Sequence, residues 1–443
     1  MTSRTDPAAL LRSRSYLAVL VITALLGAPV SAAAYGFLAL VSYLQSALFT
    51  HLPHALGYAT APAWWPAPVV VAGALLVAIA IRILPGNGGP SPAGGFKVHK
   101  PPTAAELPGV IAAALATLCF GMVLGPELPL IALGGGLAAL CVRLVKRDAP
   151  EQATTVVASA GSFAAISTLL GSPIVGAFLL MEASGLGGAM LGLVLVPGLL
   201  AAGVGSLIFT GLDSLTGLGT FSLAIPGLPG FGRPNVGEFG WAIVIGLAAT
   251  LVGAGLTWVA PRLQRLAEKR TMLVLPAAGL MVAGAAIIYA EATGKPASQV
   301  LFSGQSALGP LVEHASSYSA WAVVLLLACK AVAYGASLGS FRGGPVFPAM
   351  FIGAAGGIAL SHLPGLPLVA GVAMGIGAMS AVMLTLPLTS VLLATLLLGQ
   401  DGVSVMPLAI VSVVVAYVAR ARLVPVKAPT APAGTQQAVA GHE

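Results

Sequence analysis

Apolar residues run along this 443-residue chain in long blocks, not in alternation. No Lys, Arg, Asp or Glu occurs from Ser15 to Ile81, and none from Gly343 to Gln400. Each gap has room for at least two spans of about 20 residues. The period-two alternation that a β-barrel wall requires is absent, so the blocks predict helices. They fall at about 16–43 and 69–84, then at 107–124, 128–145, 153–170, 173–183 and 189–210. Residues 211–238 form a Gly/Pro-rich loop, and a second set follows at about 239–260, 271–291, 320–339, 348–361, 367–384, 387–399 and 403–419. Several of these are well short of a membrane crossing. Leu44 to Pro68, with His51, His54, Trp64 and Trp65, is expected to be an interfacial connection, and Pro85 to Pro102 a turn.

Composition fixes the solvent. Charged residues make up 7% of the chain and hydrophobic ones 58%, against about 25% charged in a soluble domain. There is too little polar surface to coat a water-soluble globule, and the chain is expected to be an all-α polytopic membrane protein. The expected layout is a cytoplasmic tail at 1–14, a membrane domain at 15–424 in two halves (about 15–212 and 239–424), and a disordered tail at 425–443 rich in Ala, Pro and Gln. The net charge of +7 comes from basic residues in short loops, among them Lys97, Lys100, Arg143, Lys146, Arg147, Arg262, Arg265, Lys269, Arg270, Arg420 and Arg422. Such clusters mark cytoplasmic loops and are not a nucleic-acid signal. Both termini are therefore placed on the cytoplasmic side of a cell membrane. Cys119, Cys141 and Cys329 lie singly in apolar runs, and the six His residues show no ligand spacing. No metal or cofactor is expected, and no enzyme motif such as HExxH lies in a span.

An internal repeat points to the chemistry. Gly125-Pro-Glu-Leu-Pro129 with Gly134, and Gly344-Pro-Val-Phe-Pro348 with Gly353, share the pattern Gly-Pro-x-x-Pro-x-x-x-x-Gly at an offset of 219 residues. Thr168-Leu-Leu-Gly-Ser-Pro173 and Thr385-Leu-Pro387 each precede an apolar segment, their prolines 214 residues apart. Matching broken helices in two halves are the mark of a repeat-built transporter or channel. Each Gly-Pro stretch leads into a helix N-terminus, whose free N–H groups carry partial positive charge. Two such ends converging would hold an anion with no fixed cation. Glu127 is the only charged side chain between Leu107 and Val142. A carboxylate at bilayer depth costs about 2.5–3.5 kcal/mol and is read as functional. It would compete with an anion for the same helix end and leave on protonation. Glu182 reads as a structural or interfacial carboxylate. Lys330 either snorkels or pairs with a carboxylate, and Arg342 either concentrates anions in a vestibule or marks a loop.

These residues resemble the CLC chloride channels and proton-coupled anion exchangers over roughly 70–420. The family motifs GSGIP, GREGP and GxFxP correspond to Gly86-Asn-Gly-Gly-Pro90, Gly125-Pro-Glu-Leu-Pro129 and Gly344-Pro-Val-Phe-Pro348. Gly121-Met-Val-Leu, Ile131-Ala-Leu-Gly-Gly-Gly136 and Ser172-Pro-Ile-Val-Gly-Ala-Phe-Leu-Leu-Met-Glu182 add to the match. The resemblance implies two inverted-topology repeats with many short, tilted or broken helices, and a homodimer with one pathway per subunit. It implies Glu127 as gate and proton acceptor, and anion binding by Asn87, Gly88, Glu127, Leu128, Val346 and Phe347. Gly86, Pro90, Gly125, Pro129, Gly344 and Pro348 are the supporting motif positions.

The departures bear on mechanism. Asn87 replaces the family's serine, so an amide N–H stands in for a hydroxyl donor. Pro345 removes a backbone N–H, and Val346 takes the phenylalanine place. Ala183 stands where the exchangers carry an inner glutamate, and no tyrosine begins a last helix, since only Tyr417 follows Pro407. These losses argue against strict chloride/proton exchange. The expected function is transport of small inorganic anions, chloride first, in a channel-like or weakly proton-coupled manner. A strict anion/proton antiporter for chloride, fluoride or nitrate is the alternative, and a cation-coupled solute transporter, which needs more buried carboxylates, a remoter one.

Overall fold

The computed structural model describes residues 12–423 apart from 168, 171, 186–187, 224 and 226–229. The tails expected at 1–11 and 424–443, and Thr168 and Gly171 of the second repeat pair, lie outside the described residues. Among the described residues all regular structure is helical. Fifteen principal helices follow in order: α1 Arg14–Ser46, α2 Pro66–Ile83, α3 Leu107–Cys119, α4 Glu127–Val145, α5 Glu151–Ala165, α6 Pro173–Ser184, α7 Gly188–Thr216, α8 Val236–Lys269, α9 Thr271–Thr293, α10 Gln305–Glu313, α11 Ala320–Ser340, α12 Val346–Ser361, α13 Leu368–Leu384, α14 Pro387–Leu396 and α15 Gly402–Leu423. Eight stretches are long and apolar enough to cross a membrane, among them α8 and α9, while α3, α5, α6, α12, α13 and α14 are shorter.

Local chemistry sets many of these boundaries. Pro66, Pro173 and Pro387 open α2, α6 and α14, where a missing N–H costs nothing because no intrahelical acceptor exists. Asn235 and Glu238 form a reciprocal capping box at the start of α8, the arrangement that satisfies two orphan donors at once. Gly185 and Gly294 end α6 and α9 in the left-handed conformation, which a residue without Cβ adopts without steric cost.

Four points refine the expectations. Many helices are short, as expected, but four prolines are carried inside long ones: Pro29, Pro197, Pro261 and Pro276 sit inside α1, α7, α8 and α9. In a medium without water the helix remains the cheapest way to satisfy the other backbone groups, and neighbours absorb the lost bond. The connection expected from Leu44 is partly helical: α1 reaches Ser46, and a π-helical turn (Ala47–His51) and a short helical turn (Leu52–Ala55) continue it. The central loop is shorter than 211–238, since α7 runs to Thr216 and α8 starts at Val236. α10 lies in a stretch assigned no segment, because its nine residues are only weakly apolar.

The core is built on small residues. Gly353 and Gly357 of α12 face Gly375 and Gly371 of α13, and a Cβ at Gly353 or Gly357 would run into the carbonyl of its partner. Gly134 of α4 and Gly161 of α5 meet in the same way. Lipid tails are as apolar as Leu, so helices here associate through close backbone packing, and the glycine spacing of four supplies it.

The pieces carrying the motifs meet at the centre. Gly125 and Gly344 form an isolated antiparallel bridge, with N–H···O distances of 2.8 Å from Gly125 to Gly344 and 2.6 Å in return. The two Gly-Pro stretches thus lie side by side, and α4 and α12 start from that junction.

Candidate anion site

The extended residues before α4 and α12 must pass very close to one another. A Cβ at Gly343 would lie 2.7 Å from that of Leu124, and a Cβ at Gly125 or Gly344 would strike the Glu127 carboxylate. Gly343 is held to glycine by fixed neighbours, while a Cβ at Gly125 or Gly344 would push the carboxylate aside. Pro126 and Pro345 follow as the N-caps of α4 and α12 with nearly the same backbone, φ −82° and ψ −1° against φ −89° and ψ −5°. The repeat seen in sequence is thus also a repeat of geometry.

Glu127 is wholly buried. Its Oε1 accepts a hydrogen bond of 2.8 Å from the Phe347 N–H, in the first turn of α12. Val346 precedes Phe347 in the same first turn of α12. The Glu127 Oε2 is buried with no partner. A side chain from α4 therefore places its negative charge at the N-terminus of α12, where the helix macrodipole and orphan N–H groups favour an anion. No cationic side chain within ion-pair distance neutralises it; the only ion pair among the described residues is the exposed Lys100–Glu151 contact at 4.0 Å.

The candidate residues divide into two groups. Glu127, Phe347, Gly125 and Gly344 are in direct contact, with Val346, Leu128, Pro129 and Pro348 buried in the same first turns. Gly86, Asn87 and Pro90 instead line a cavity of about 350 Å³, shared with Leu128 and Ile131 of α4, Ser162 and Phe163 of α5 and Leu180 of α6. Asn87 is exposed there, so its side chain stands in an open cavity whose wall includes the residue next to Glu127. Gly88 is buried outside that lining, its α-carbon packed toward Ala113, Ile81 and Arg342. The turn has four successive residues with positive φ: Gly86 83°, Asn87 49°, Gly88 71° and Gly89 86°. Three of the four are glycine because this conformation strains other residues. Lys97, His99 and Lys100 also line the cavity. So does Glu106, whose carboxyl is held below its ordinary range by the Thr103 N–H and hydroxyl, both at 2.9 Å.

Three charged residues with open readings acquire positions. Lys330 neither snorkels nor pairs with a carboxylate: it is wholly buried and its Nζ donates to the carbonyls of Gln299 (3.1 Å), Leu301 (2.8 Å) and Phe302 (3.1 Å). The ends of a broken backbone segment supply the acceptors that a carboxylate would have. Glu182 is structural. It accepts from the Leu388 N–H (3.0 Å), the Thr389 N–H (2.8 Å) and the Thr389 hydroxyl (2.6 Å), so α6 caps α14 in the other half of the chain. Arg342 sits beside Gly88; its N–H reaches the Thr117 hydroxyl at 3.3 Å, while its Nε is buried without a partner.

Sequence reasoning passed over Tyr334 and Ser337 on α11. The Tyr334 hydroxyl donates to the Pro345 carbonyl at 2.7 Å, and the Ser337 hydroxyl accepts from the Val123 N–H at 3.0 Å. Both are wholly buried. The one available signal was their spacing of three on a single helix, which names no backbone partner, neither Pro345 11 positions on nor Val123 214 positions back.

Comparison with known proteins agrees with this geometry. The family model described as voltage gated chloride channel matches residues 69–420. The provisionally named ion-transport protein YfeO of Shigella boydii serotype 4 (strain Sb227) is 31% identical over 334 residues, 74% of this chain and 75% of the relative. The same protein of Escherichia coli (strain K12 / DH10B) gives the same identity and coverage, 31%, 74% and 75%. Among solved structures, a slow cyanobacterial Cl⁻/H⁺ antiporter superimposes with a TM-score of 0.72 at 18% identity, covering 91% of this chain and 94% of that one. A CLC-type fluoride/proton antiporter gives 0.62 at 20% identity, covering 91% and 95%. With a family model over most of its length, relatives above 30% identity and this fold, the chain is a multi-pass membrane protein that belongs to the voltage-gated chloride channel (CLC) family.

Proposed function

We propose that this protein carries small inorganic anions, chloride first, across a cell membrane, by a pathway in which Glu127 is the gate. One observation carries the reading. The Glu127 carboxylate occupies the N-terminus of α12, accepting the Phe347 N–H at 2.8 Å, with its other oxygen unpaired. A site that holds a carboxylate through backbone N–H groups suits a free anion of similar charge. The two compete, and protonation of Glu127 removes the competitor. The first-turn N–H groups of Glu127, Leu128, Val346 and Phe347 are the anion donors, Gly125 and Gly344 allow the close approach, and Asn87 offers an amide N–H to an anion in the adjoining cavity. The Lys97 and Lys100 side chains on the cavity wall support entry of anions from that side.

The relatives with solved structures include Cl⁻/H⁺ and F⁻/H⁺ antiporters, but this chain has Ala183 beside Glu182. Glu182 is engaged by three donors at α14. Anion movement is therefore proposed to be channel-like or weakly proton-linked. The working unit is proposed to be a symmetric dimer with a separate pathway in each subunit and both termini cytoplasmic. The test is efflux from liposomes loaded with a panel of anions, with a pH probe inside. Efflux of chloride above that from empty liposomes supports the reading, and efflux at background from folded protein overturns it.

A further inference from the structure

The two Gly-Pro motifs match in backbone but differ in how their first helical turn closes. In α4 the Pro126 carbonyl accepts the Leu130 N–H at 2.9 Å, an ordinary first-turn bond. In α12 the corresponding bond, from the Ala349 N–H to the Pro345 carbonyl, is stretched to 3.4 Å. The Pro345 carbonyl is taken instead by the Tyr334 hydroxyl at 2.7 Å. Tyr334 is wholly buried on α11.

The Pro345 carbonyl and the Val346 N–H belong to one rigid, planar, trans peptide unit. Whatever fixes the direction of that C=O fixes the opposite direction of that N–H. Val346 is the first residue of α12, and Phe347, whose N–H donates to the Glu127 carboxylate at 2.8 Å, follows it directly. Pro345 has no N–H of its own, so the turn has one donor fewer to spend on an anion and depends more on the aim of the next two. Resting on the reading that this helix end is the anion site, we propose that Tyr334 is a positioning residue, which by holding the Pro345 carbonyl aims the Val346 and Phe347 N–H groups at the anion.

In Tyr334→Phe the carbonyl returns to Ala349, the peptide plane turns, and the donors lose alignment. Chloride efflux from liposomes at graded chloride concentrations should show half-saturation raised about fivefold, the worth of one hydrogen bond, with maximal flux within about twofold of wild type. The same rise should appear in a Glu127→Gln background, where no carboxylate competes. Tyr289→Phe, at an equally buried tyrosine whose hydroxyl meets Gln299 at 2.6 Å, should leave half-saturation unchanged. Wild-type half-saturation in folded Tyr334→Phe overturns the proposal while leaving the transport reading intact; background efflux from the wild-type protein overturns the transport reading itself. Should Tyr334→Phe not fold, the unmodified protein with ring-labelled tyrosine decides: exchanging chloride for gluconate should shift a tyrosine ring band in the infrared difference spectrum, and a tyrosine spectrum indifferent to chloride overturns the proposal.

Discussion

At the residue scale the site depends on one negative charge and the glycines that leave room for it. Glu127 was legible because a lone carboxylate in an apolar run is costly and therefore retained for a purpose. Phe347 was named only through the family resemblance, and that the carboxylate itself accepts its N–H, 220 positions away, was not legible. On the proposed reading an ionised Glu127 excludes the anion and protonation removes the competing charge, so flux should rise as pH falls. Glu127→Gln should therefore conduct more at neutral pH and respond less to pH, read as efflux across a pH series. Gly344→Ala should act in the opposite sense. Its methyl would stand where the carboxylate now lies and, unlike the carboxylate, it does not leave on acidification. Flux near background at every pH is expected, with the protein still monodisperse in detergent.

At the element scale, helix starts were readable where a proline or a capping box marks them, as at Pro66, Pro173, Pro387 and Asn235. Unreadable was what one helix does for another. Glu182 read as a structural or interfacial carboxylate, but only the fold shows what it supports, the orphan N–H groups at the start of α14. Because the carboxylate is only partly buried, its loss should cost about 1–2 kcal/mol. Glu182→Ala should lower the thermal midpoint in detergent while leaving proton movement as it was; a change in proton movement would give Glu182 a role in the proton path. The α12–α13 seam makes the opposite demand, for no side chain at all. Gly357→Ala drives a methyl against the Gly371 carbonyl, a backbone atom that cannot rotate away. Overpacking of this kind costs about 1–3 kcal/mol, visible as a lower thermal midpoint. Lys330 is a third instance: a buried cation needs acceptors, but only the fold shows that three carbonyls of one loop supply them.

At the scale of the whole molecule, the two halves bring the starts of α4 and α12 together at the Gly125–Gly344 junction. With Ala183 unable to hold a proton, a chloride gradient in liposomes should drive little or no proton uptake. Robust uptake in fixed ratio to chloride would show that water or another group carries the proton past Ala183. The class of molecule, the approximate limits of most helices, the repeat offset and the lone buried carboxylate Glu127 were all legible in the sequence alone. Each follows from local causes: solvation of apolar runs, the missing N–H of proline, the cost of a lone charge in lipid. Only the tertiary structure decided that Gly125 pairs with Gly344, that the gate rests on the Phe347 N–H, that Asn87 stands in a cavity apart from that contact, and that Tyr334 holds the Pro345 carbonyl. The Gly125–Gly344 and Glu127–Phe347 encounters join segments distant in sequence, and all the pairings end on a backbone N–H or C=O, so residue identity does not name the partner.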